Sequence, residues 1–94
     1  MKIDFNKAIT NFKGELMKVG VANIFVKDVI CTQLSMVSDA TKEDKQKLTD
    51  LSAVIWNSKP GKDTEITPED ATLLRKYLET VPVSVFSQVY NILG

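Results

Sequence analysis

The chain has 94 residues, 44% of them hydrophobic, and its 12 Lys and Arg are balanced by 12 Asp and Glu. That composition excludes a disordered chain and fits a single small domain, with a core so limited that a partner surface could complete the burial of apolar area. Zero net charge removes the long-range attraction on which binders of nucleic acid and anionic membranes rely.

The first 19 residues alternate more than they cycle. Ile3 and Phe5 fall on one side, and Ile9, Phe12, Leu16 and Met17 flank Lys13-Gly14. This pattern predicts a small β-ribbon over residues 1–19, two short strands joined at Gly14, whose positive φ a tight hairpin needs. A two-stranded ribbon is marginal alone, so it must lay its apolar side chains on a helical body.

From Val26 the period becomes helical. Val26, Val29, Ile30, Leu34 and Val37 share one stripe of a helix over residues 26–38. Asp39 to Lys42 is a polar break, and Thr41 with Asp44 resembles a capping box in which aspartate stands for the usual glutamate. The second helix, residues 42–57, carries Leu48, Leu51, Val54 and Ile55. Ser58 to Ile66, with Pro60-Gly61, reads as a surface loop.

Thr67-Pro68-Glu69-Asp70 writes a helix start in full: a capping threonine, proline at the first helical position and two acids at the positive end of the dipole. That third helix spans residues 67–80, with Ala71, Leu73, Leu74, Tyr77 and Leu78 inward and Arg75 and Lys76 toward its negative end. Val81-Pro82-Val83 turns the chain. A fourth helix, residues 83–93, carries Val85, Phe86, Val89, Tyr90 and Leu93. The predicted fold class is therefore mainly α with a minor β part, four short helices and a small N-terminal β-ribbon.

No histidine is present, which removes the commonest general base and the commonest nitrogen ligand for metals. Cys31 is the only cysteine, so no thiolate cluster and no internal disulfide can form, and it reads as a structural thiol in a reducing compartment. Aligned as a calcium loop with Ile66 at the eighth position, the 59–70 segment has carboxylates at only two of its side-chain ligand positions, Asp63 and Asp70, and Thr64 where glycine is required, too little for that ion. Glu43-Asp44 and Glu69-Asp70 are explained by capping. The four glycines are scattered, with no phosphate-loop spacing. Lys42, Lys45, Lys47, Lys59 and Lys62 are interleaved with acids and read as a neutral solvated face. The expectation is no enzyme activity, no metal and no cofactor.

Trp56 ends the second helix after Val54-Ile55 and reads either as a core anchor, the favoured reading, or as an exposed binding hot spot. In the ribbon, Phe5 and Phe12 are expected to pack on the helices. Leu16 and Met17 are adjacent, so on a strand only one of them can point inward and the other faces solvent or a partner. Phe12, Leu16, Met17 and Trp56 are thus the candidate interface residues. The polar residues that interrupt the N-terminus, Lys2, Asp4, Asn6 and Lys7, argue against a signal peptide, and no segment is long enough to span a bilayer, which points to the cytoplasm.

The order Ile3-Asp4-Phe5, Ile9-Thr10-Asn11-Phe12-Lys13-Gly14-Glu15-Leu16-Met17, a helix, Leu51-Ser52-Ala53-Val54-Ile55, then Glu65-Ile66-Thr67-Pro68-Glu69-Asp70-Ala71-Thr72-Leu73-Leu74 resembles small uncharacterised proteins of bacteriophages and prophages. It departs at Phe12, where that group often has an acid. The resemblance carries no catalytic residues; it implies an accessory or assembly protein acting through protein contacts in a host cytoplasm, by a protein partner or self-association. Two alternatives compete with it, a regulator or inhibitor of a host protein and, against the neutral charge, a helical nucleic-acid-binding domain.

Overall fold

Helix α1, Val26–Ser35, is the element on which the others are hung. In this computed structural model, which describes residues 1–93, it packs against α2 (Lys42–Trp56), α3 (Pro68–Leu78) and α4 (Val83–Tyr90), and a single 3-10 turn, Asn91–Leu93, follows α4. The inward stripes are those of the 3.6-residue period: Val26, Ile30 and Leu34 on α1, Leu48, Leu51 and Ile55 on α2, Ala71, Leu74 and Leu78 on α3, Val85 and Val89 on α4. They join Ile3, Phe5, Ile9, Ile66, Val81 and Leu93 in one contiguous core. The fold is mainly α with a small antiparallel β component, as the period of the sequence predicts.

The helix boundaries differ from the expected ones for local reasons. α1 stops at Ser35 rather than Ser38, because Met36 N–H bonds the Gln33 and Leu34 carbonyls and Val37 N–H bonds Leu34, which tightens and ends the last turn. α4 ends at Tyr90, and the 3-10 turn beyond it inserts Leu93 into the core. α2 and α3 differ by one or two residues at their ends. Thr67 caps α3, its Oγ1 accepting from Asp70 N–H at 3.1 Å. We expect Thr67→Ala to lose about 1 kcal/mol in urea melts; an unchanged midpoint would show that α3 does not depend on this cap.

At α2 only half of the capping box forms. Thr41 Oγ1 accepts from Asp44 N–H at 3.1 Å, but the Asp44 carboxylate accepts instead from Tyr77 Oη at 2.9 Å, with Lys76 Nζ at 3.9 Å. Asp44 therefore ties the start of α2 to the end of α3. That hydrogen bond, with lesser contributions from burial and from the charges of Asp44 and Asp39, raises the Tyr77 pKa above its ordinary value.

The N-terminal β region is where the expected architecture needs most correction. Strand β1, Lys2–Ile3, does not pair within the ribbon; it pairs antiparallel with β4, Thr64–Glu65, so the tail of the expected 58–66 loop is strand. The turn at Gly14 exists, with φ 81°, as a five-residue loop closed by the Thr10–Leu16 bridge, and Asn11 Oδ1 accepts from Lys13 and Glu15 N–H inside it. The regular hairpin lies further on and is built from β2 (Lys18–Val19) and β3 (Ala22–Asn23). Its two-residue loop has positive φ at Gly20, 63°, and none at Val21, the pattern of a type II′ turn. Ile9, Met17 and Ile24 then close a ring of backbone hydrogen bonds: Met17 N–H to Ile9 O, Ile24 N–H to Met17 O and Ile9 N–H to Ile24 O, at 2.8 to 2.9 Å. Three chain segments thereby satisfy one another without a long sheet.

This subdomain is fastened to the helices by Gln88 of α4. Its Oε1 accepts from Thr10 N–H at 2.9 Å and from Thr10 Oγ1 at 3.2 Å, while its Nε2 donates to Thr10 O at 2.7 Å. One amide thus satisfies both backbone groups of a residue 78 positions away in sequence.

Candidate functional site

A concave surface lies where the β2–β3 hairpin stands beside α1 and the chain enters α4. The II′ turn at Gly20 projects the hairpin outward, so Val19 is 72% and Val21 99% exposed. Across from it the flank of α1 contributes Val29, which also packs partly on the core, with Thr32 and Gln33, and the C-cap residue Met36 lies seven residues beyond Val29. The third wall is the segment from Thr80 to Val85, fixed to α1 by Gln33 Nε2 donating to Thr80 Oγ1 at 2.8 Å. Together they enclose an open groove of about 660 Å³.

Its lining is predominantly apolar, and its one charged side chain is Asp28. That carboxylate is held in place because Oδ2 accepts from Phe25 N–H at 2.8 Å at the start of α1. Met36, 64% exposed, and Val83, 84% exposed between the groove residues Pro82 and Ser84, extend the apolar surface past the rim. Single exposed apolar side chains need no explanation, but a contiguous set around a concave surface is the usual mark of a contact site.

The four residues singled out from the sequence do not gather at one place. Met17 is half-buried, packs on the core and lines the groove. Leu16 is the outward member of the adjacent pair, 50% exposed. Phe12 does not pack on the helices; it sits 83% exposed in the Gly14 loop, whereas Phe5 is fully buried as expected. Trp56, expected in the core, is 55% exposed, and Lys27 Nζ lies 5.6 Å from its ring centroid. Ile55 takes the inward position, and a neighbour one residue on is turned about 100° away. Val19, Val21, Met36 and Val83 were not among the residues expected from the sequence to form an interface. Their signals are present, however: Val-Gly-Val for a turn, Val29 and Met36 one heptad apart, and valine directly after Pro82.

Cys31 lines a smaller hollow of about 390 Å³ with Leu34, Lys45 and Ser52, and its Sγ lies 3.7 Å from Ser52 O. Burial, and secondarily the Asp28 charge, pushes the thiol pKa up, only partly offset by Lys27. A thiol so placed is a poor nucleophile at neutral pH. We expect alkylation of the native protein at pH 7.5 to be several-fold slower than in denaturant; equal rates would show an open, activated thiol. Among the described residues no three Cys, Asp or Glu side chains converge as metal ligands, and no helix is long and apolar enough to cross a membrane.

Compared with protein-family models, curated proteins and solved structures, the chain matches none.

Proposed function

We propose that this chain is a non-enzymatic accessory or assembly protein, of the phage type its sequence order resembles, that works in the host cytoplasm through protein–protein contacts made at the groove between the β2–β3 hairpin, α1 and α4. The observation that carries this reading is a predominantly apolar groove lined by Met17, Val19, Val29, Met36 and Val85, with exposed Val21 and Val83 on the segments that form its walls. Three supporting features accompany it: a balanced charge, a chain without histidine, and a single cysteine whose thiol pKa burial raises. Helical walls on one side and a hairpin on the other give the groove a defined shape before any partner arrives, which limits the ordering cost of binding. The phage assignment rests on the resemblance of the sequence and on nothing else.

The test compares the wild-type chain with Met36→Glu as bait in a bacterial lysate. Met36 is 64% exposed, so the substitution should leave the melting midpoint nearly unchanged. The proposal expects a protein, from the lysate or a differently tagged copy of the chain added to it, to be captured by the wild type, lost with Met36→Glu and little affected by salt. Capture that is equal with both baits places the contact surface elsewhere. Capture of nucleic acid that weakens steeply with salt supports the helical nucleic-acid-binding alternative instead.

A further inference from the structure

We infer that the groove is filled by the β2–β3 hairpin of a second copy of this chain, so that two copies form a two-fold dimer. This inference rests on the reading of the groove as the contact surface and names its occupant. The patch offers both halves of a self-complementary contact: a projecting apolar tip at Val21, and beside it an apolar hollow walled by Val19 of the same hairpin and by Val29, Met36 and Val85. A two-fold interface uses the same patch on both copies and therefore needs knob and hole together, as here.

Charge points the same way. Lys18 on the hairpin is the only charged residue between Met17 and Phe25, and Asp28 is the only charged residue lining the groove. Among the described residues neither takes part in an ion pair within the chain. Exchange of hairpins brings a lysine of one copy toward an aspartate of the other, and zero net charge leaves no overall repulsion to overcome.

Sedimentation equilibrium of the full chain from about 1 µM to about 1 mM tests this, because self-association follows mass action. The expected result is a mass that rises from 10.5 kDa toward twice that value. Val21→Lys and Met36→Glu should each raise the dimer dissociation constant about tenfold or more. Circular dichroism of each variant establishes that it is folded, and Val19→Lys replaces either one that is not. A wild-type chain that stays monomeric throughout, or a dimer indifferent to all the folded variants, overturns the inference. The fluorescent apolar probe anilinonaphthalene sulfonate separates the two levels of the reading. If the chain is monomeric and the probe binds the wild type but not Met36→Glu, the groove stands as a contact surface for another protein. If the chain is monomeric and no probe binds, the proposed contact surface falls as well.

Discussion

Phe5→Ala is expected to destabilise the fold by about 3–5 kcal/mol, and Phe12→Ala by less than about 0.5 kcal/mol. The two rings lie seven residues apart in the same N-terminal segment, yet Phe5 is 0% and Phe12 83% exposed. The chain places Phe5 by turning tightly around it. Asp4 Oδ1 accepts from Asn6 N–H at 3.0 Å, and Phe5 O accepts from Lys27 N–H at 2.9 Å, so the backbone is pinned to the first turn of α1. Truncation would leave a cavity in the core beside a backbone pinned to the first turn of α1, so little relaxation can offset the lost burial. A domain of this size is stable by only about 5–14 kcal/mol, so the first change removes a large share of the total. Urea melts with unchanged slope but a lowered midpoint for Phe5→Ala alone are the expected result. Equal effects of the two substitutions would mean that the Gly14 loop folds over and buries Phe12 in solution.

The second large effect is at Gln88. Gln88→Ala removes three hydrogen bonds to Thr10 and leaves its N–H and carbonyl without their partner at a half-buried site. With about 1 kcal/mol per bond, the expected loss is about 2–3 kcal/mol. Gln88→Glu is the sharper probe, because a carboxylate can still accept from Thr10 N–H but cannot donate to Thr10 O. It should fall between wild type and alanine at neutral pH. Hydrogen exchange should report the same change locally, with faster exchange at Thr10, Met17 and Ile24 when the fastening is cut. A Gln88→Ala protein as stable as the wild type would show that the β subdomain holds its place by apolar packing alone.

The helices were legible because their signals are local. Thr67-Pro68-Glu69-Asp70 places a cap, a proline and two acids within four residues, and the stripes on α1, α2 and α3 repeat within single turns. The β1–β4 pairing has no such signal. It joins two-residue strands more than 60 positions apart, and neither strand is long enough to show alternation. Assigning the hairpin to Gly14 rather than to Gly20 hid Val19 and Val21, since both glycines adopt positive φ but only the second closes a two-residue loop. Trp56 was misplaced because Val54-Ile55-Trp56 is apolar throughout, whereas a helix can turn only one of three consecutive residues fully inward. Of the candidate site, strand alternation narrowed the outward residue to Leu16 or Met17 without choosing between them, and it is the inward one, Met17, that lines the groove. Met36 was not legible, because it lies off the main stripe of α1 and gains meaning only from the hairpin opposite.

Two copies of this chain are proposed to meet at the groove between the β2–β3 hairpin, α1 and α4. Amide correlation spectra of the isotope-labelled full chain, recorded over a dilution series, test this most directly, because each backbone amide reports separately. The account predicts concentration-dependent shifts concentrated at residues 17–24, along the outer face of α1 from Val29 to Met36, and from Thr80 to Val85. Shifts centred on Phe12, Leu16 and Trp56, or spectra that do not change with concentration, would contradict it.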